Sequence, residues 1–171
     1  MKPTKSGLDQ SRRNRSSTHH PIPTNVHSPA FHRLISSHLS EVDPVCQEIK
    51  LHLEKIALKK LGFVTDLLTR EFLNNAILHG HCQIADKKVS VCMMIGRKWV
   101  CVQITDQGPG FNWRQARREV SPDDMATCGR GIRIGFAYAD RITFNRKGNR
   151  VSFWILKDRK GVLSHHGKSH H

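Results

Sequence analysis

Glu71 and Asn75 stand four residues apart in a stretch, 64–79, whose apolar positions recur at helical spacing. At about 100° per residue, Val64, Leu67, Leu68, Glu71, Asn75 and Leu78 fall on one stripe, so a carboxylate and an amide interrupt an otherwise apolar face. Core-facing acids are rare because stripping water from a charge is costly. Spaced i and i+4, the two side chains reach one point in space, which suits a carboxylate activating a nucleophile beside an amide oxygen holding Mg²⁺. The same spacing also suits a plain amphipathic helix whose Glu71 snorkels to water at the edge of the stripe.

Two further stretches carry chemistry of a different kind. Asp106-Gln107-Gly108-Pro109-Gly110-Phe111 follows an apolar strand. An Asp there can accept a hydrogen bond from an exocyclic amine, and the two glycines let the backbone turn sharply against a flat ligand. An ordinary strand-ending turn favours the same residue types. Cys128-Gly129-Arg130-Gly131-Ile132 opens a helical stretch, and glycine-rich backbone at a helix start offers free N–H groups to a phosphate chain. Arg130 and Arg133 add charge; a simple loop before a helix reads the same way.

These residues need elements to hold them. Phe31 and its neighbours (30–37) read as a short strand. Val45, Ile49, Leu53 and Ile56 predict a helix over 44–60, with Gly62 where a C-terminal cap would sit. The second helix spans 64–79. VSVCMMI and WVCVQIT form a hairpin through Gly96-Arg97-Lys98; after a polar stretch at 112–128 comes a helix over 131–139, and RITFN and VSFWILK flank the Lys147-Gly148-Asn149 turn. The order β α α β β, loop, α β β predicts a two-layer α/β sandwich, with helices on one face of a mostly antiparallel sheet.

The chain has 171 residues, enough for one domain with tails, and 28 Lys and Arg against 14 Asp and Glu give a formal charge of +14. More than half of that surplus falls in residues 1–40 and 157–171. Residues 1–29 lack the apolar side chains to offset ordering and are expected to be a disordered basic arm. Residues 30–157 form the domain, and 158–171 a basic tail whose His165, His166, His170 and His171 have no specific role. No apolar run approaches the roughly 18 residues of a spanning helix, and no signal peptide is visible. Five scattered cysteines without CxxC spacing read as reduced thiols. The expectation is a cytoplasmic protein without a membrane partner. A nucleic-acid-binding reading rests on charge alone and has no motif behind it.

Taken in order, ExxxNAxxHG (Glu71 to Gly80), DxGxG (Asp106 to Gly110) and GRGI (Gly129 to Ile132) make the chain resemble the GHKL, or Bergerat-fold, ATPase superfamily. The resemblance covers residues 30–157 and is closest to bacterial anti-sigma-factor serine/threonine kinases. It implies a Bergerat-type fold with ATP and Mg²⁺ as cofactors. By that resemblance Glu71 is the general base, Asn75 the Mg²⁺ ligand, and Asp106 the acid that reads the adenine amine. Gly108 and Gly110 make the turn under the base, and His79 belongs to the nucleotide-binding set. Gly129, Arg130, Gly131 and Ile132 close an ATP lid spanning 112–128, which orders on nucleotide. Arg114, Arg117 and Arg118 lie in that lid as a largely solvated run. Where these kinases carry a Thr near the adenine, Ser152 is the nearest substitute. The implied partners are a sigma factor and a small antagonist protein that is phosphorylated, and a homodimer is compatible with the resemblance. The alternative is a module that binds ATP without chemistry and sequesters a regulatory partner.

Overall fold

The computed structural model describes residues 29–81, 84, 86–118 and 130–158. Most of the arm expected over 1–29, most of the lid over 112–128, Gly129 and all but the first residue of the tail expected over 158–171 lie outside the described residues. Strand β1 (Phe31–Ser36) leads into helix α1 (Val42–Lys55), where Val42, Val45, Cys46, Ile49 and Leu53 make one buried stripe. Pro44 sits in its first turn, where a missing N–H costs nothing.

Gly62 does not cap this helix. The chain leaves α1 through a Schellman turn, with Leu58 N–H donating to Leu53 O at 2.8 Å and Ala57 N–H to Glu54 O at 3.1 Å. Ala57 takes the left-handed conformation, φ 59°, that glycine usually supplies. Gly62 instead begins helix α2 (Gly62–Asn75).

The buried stripe of α2 is Val64, Thr65, Leu68, Thr69, Phe72 and Leu73, rotated from the one the apolar spacing predicted. Leu78 is exposed and Leu67 half-buried, while Glu71 and Asn75 sit at the stripe's edge, half-buried. Two threonines, whose hydroxyls find no partner among the described residues, occupy places that a hydropathy count assigns to aliphatics. On the outer side Arg70 bonds Asp66 at 2.9 Å and also Asp43, tying α2 to the start of α1.

Strands β2 (Lys88–Ile95), β3 (Trp99–Asp106), β4 (Arg141–Phe144) and β5 (Arg150–Leu156) complete a fully antiparallel sheet of order β1-β2-β3-β5-β4. Short helix α3 (Trp113–Arg118) opens the stretch expected to be irregular, and helix α4 (Arg130–Tyr138) returns to the sheet. Val89, Val91 and Met93, Val100, Val102 and Ile104, and Val151, Phe153 and Ile155 alternate toward the helices and pack with α1 and α2 into one core. The result is the two-layer α/β sandwich that the element order implied.

Candidate functional site

Strand parity puts Asp106 in the site. It follows Ile104 by two residues, so it faces the helices from the last position of β3, where the apolar run ends. Its Oδ1 accepts the Gly108 N–H at 2.7 Å, its main-chain N–H donates to Asn149 O at 2.9 Å, and Asn149 Nδ2 donates to its carbonyl at 2.7 Å. Burial pushes the carboxyl above its ordinary range, and the Gly108 amide, His81 and Lys147 oppose that rise.

The residues after Asn75 do not continue as α-helix. Ala76–Gly80 form a π turn, closed by His81 N–H donating to Ala76 O at 2.9 Å. The wider turn carries Gly80 onto the DxGxG loop. A Cβ on Gly80 would stand 2.9 Å from Asp106 Oδ1, and one on Gly108 would stand 2.1 Å from Gly80 O. Gly110, at φ 78°, lies just as close to Lys147 O. The glycines are therefore needed because three backbone segments touch there.

Between these segments and α4 lies a cavity of about 190 Å³. Phe72, Ala76, Ile104, Phe111, Phe144 and Val151 give it apolar walls, and Asn75, His79, Asp106, Gly110 and Ile132 from the sequence-derived set line it as well. Gly131 sits against Asn75, since a Cβ there would fall 2.3 Å from Asn75 Nδ2 and 3.5 Å from Glu71 Oε2. Glu71 and Asn75 thus meet at the first turn of α4. Arg130 is the first residue of α4. Arg114 lies over the Trp113 ring at 4.6 Å.

Ser152 is not a cavity residue. It lies on the sheet's other face, where its Oγ accepts from Gln103 Nε2 at 3.1 Å, one position out of parity with Val151. Several residues that the motifs omit shape the site instead. Phe144 packs edge-on against Phe111 and Phe72 and stacks on Trp113, making one aromatic wall. Asn145 Oδ1 accepts the N–H groups of Gly148, Asn149 and Arg150 and so holds the turn that delivers Asn149 to Asp106. The Asn at each end of that tight turn was the available signal. His81, fully buried, is the third, and its position depends on contacts that no local pattern records.

A cavity with aromatic and aliphatic walls, one acid among its described lining residues and the first turn of α4 beside it suits a planar base bearing phosphates. A family model described as a histidine kinase-like ATPase domain matches residues 35–155. The chain belongs to that family. No curated protein matches it.

The histidine kinase-like ATPase domain here is thus an ATP-binding domain of the GHKL type, and all three boxes fall inside the matched span. Among its described residues no group of three or more His, Cys, Asp or Glu could cage a metal ion. A lone amide donor at the rim fits an ion that arrives with the nucleotide and is held mainly by phosphate oxygens and water, as Mg²⁺ is. Asn75 is the residue that would hold it. Nor is any described helix of the domain long and apolar enough to cross a membrane.

Proposed function

We propose that this ATPase domain is a serine/threonine protein kinase of the anti-sigma-factor type. It holds a sigma factor in one nucleotide state and in the other transfers the γ-phosphoryl group of ATP to a small antagonist protein. The observation that carries this reading is Glu71. It is half-buried one turn before Asn75, faces the start of α4, and makes no hydrogen bond or ion pair with any described residue. A carboxylate kept for structure would have a partner at that depth; a general base must have a free oxygen.

In the transfer, Glu71 takes the proton of the attacking serine or threonine hydroxyl as that oxygen bonds to the γ-phosphorus. The bond to the β,γ-bridging oxygen breaks and ADP leaves. Bound Mg²⁺ would supply charge neutralisation on the phosphates. Asp106 and the aromatic wall hold the base, so the phosphate chain is fixed at the Glu71 rim. Phosphoryl transfer asks chiefly for such positioning and charge balance, so a small fold suffices.

Glu71→Ala separates catalysis from binding. It should bind ATP nearly as tightly as the parent by calorimetry, because Glu71 does not itself line the cavity. Transfer of labelled phosphate to the antagonist should slow by about 10² or more, the usual contribution of general-base assistance. A parent that transfers no phosphate to any antagonist would leave a nucleotide-gated binding module in place of a kinase.

A further inference from the structure

His81 lies directly after the π turn and is fully buried. Its Nε2 is 2.7 Å from the Gln107 amide nitrogen. A backbone N–H only donates, so Nε2 must carry its lone pair there. The proton of the neutral ring therefore sits on Nδ1, which donates to the buried Ser37 Oγ at 3.1 Å. One imidazole thus joins the segment after β1, the turn after α2 and the turn after β3. Gln107 is fixed a second time, its Oε1 accepting the Lys88 N–H at 2.8 Å. The next amide along, Gly108 N–H, is the one that holds Asp106 Oδ1.

We infer that neutral His81 is a positioning residue for nucleotide recognition: by accepting the Gln107 amide it sets the turn that aims the Asp106 carboxylate, and protonating it releases that aim. The inference rests on the reading of Asp106 as the acid that meets the base.

The charged form of His81 has no place in this arrangement. A proton on Nε2 would face the Gln107 N–H, donor against donor. The charged groups facing the ring are Asp106, whose Oδ1 is 3.9 Å from Nε2, and Lys87 from the segment before β2. Lys87 opposes a second positive charge. Asp106 invites it, and the ring could satisfy its new proton only by turning to that carboxylate. Either outcome degrades the site, since the Gln107 amide loses its acceptor or Asp106 gains a competitor for the base. Burial supports the neutral form, pulling the imidazole below its ordinary value.

Two variants and two readouts test this. Gln at position 81 keeps an acceptor at the place of Nε2 but does not titrate, whereas Leu keeps the bulk and removes the acceptor. ADP affinity of the parent, measured by calorimetry between pH 7.5 and 5.5, should fall by about fivefold more than that of His81→Gln, the value of one hydrogen bond. Comparing the two proteins cancels titration of the ADP phosphates. His81→Leu should be weaker than the parent at pH 7.5, with a pH profile as flat as that of His81→Gln. Amide resonances of Gln107 and Gly108 in the nucleotide-free protein should move with pH in the parent and stay still in His81→Gln.

Parallel affinity profiles for parent and His81→Gln, or Gln107 and Gly108 amides that ignore pH in the parent, would overturn the inference. Amides that titrate as described while ADP fails to bind at any pH would leave the geometry intact and remove the nucleotide role. If the Leu variant does not fold, the parent-against-Gln comparison decides alone.

Discussion

In the function proposed above, Asp106 meets an exocyclic amine as an ionised oxygen in a place with little water, and it bears the energetic consequence. Its carboxyl is raised above the ordinary value of 3.8 by burial, so the native state takes up a proton there more readily than the unfolded chain does. Native stability from this group is therefore greater on the acid side of that window and falls as pH rises through it. At neutral pH the ionised side chain weakens the empty fold. Asp106→Asn should accordingly leave the melting temperature unchanged or raise it, since an amide oxygen can still accept the Gly108 N–H. The same change should weaken ADP binding about tenfold or more, because the amine loses a charged acceptor in a closed slot. Thermal melts and calorimetry on one preparation check both halves; a variant that melts lower and binds normally would make Asp106 a structural residue. His81 has the opposite sign. Its imidazole is depressed below 6.5, so its contribution is complete above that value and declines as pH drops below it.

Among the elements, the end of α1 holds a conformation its residue resists. Ala57 sits at φ 59° in the Schellman turn, and a Cβ in the left-handed region costs about 1–2 kcal/mol. Ala57→Gly should raise stability by about 0.5–1 kcal/mol once the extra freedom of unfolded glycine is subtracted, readable as a higher denaturation midpoint at constant slope. A lower midpoint would mean that Ala57 packing outweighs the strain. This turn also shows what spacing alone conveys. The helix was legible from Val45, Ile49 and Leu53, but a glycine five residues too late looked like its cap, because patterns register glycine and not φ. In α2 the helix was legible and its rotation was not: Thr65 and Thr69 are buried without hydrogen-bond partners among the described residues, against the general rule that hydroxyls seek them. The boxes around Glu71, Asp106 and Gly131 could be read as motifs because each is a short local spacing in the sequence. Asn149 and His81 were not, since each acts on a residue that only the folded sheet brings near, and Ser152 was misplaced by a single step of strand parity.

At the scale of the whole molecule, more than half of the excess charge falls in residues 1–40 and 157–171, whereas the cavity's described lining is mostly apolar and holds one acid, Asp106. What unites the molecule is the central pair of the sheet. The β2–β3 and β4–β5 pairs are hairpins between neighbours in sequence, whereas β3 meets β5 across a long excursion, with Thr105 opposite Arg150, 45 residues on. Asp106 and Asn149 extend that pairing by one more rung, so their bonds form only after the two hairpins have docked. Closing so long a loop is entropically slow to be repaid, and its outermost rung belongs to the late part of folding. The cavity should then be absent from the folding transition state. A ligand held there stabilises the native state alone and must act on escape from it. In denaturant jumps, saturating ADP should slow the unfolding rate in proportion to its stabilisation and leave the refolding rate where it was. Faster refolding with ADP would show instead that β3 and β5 meet early, and that the site helps to nucleate the sheet it completes.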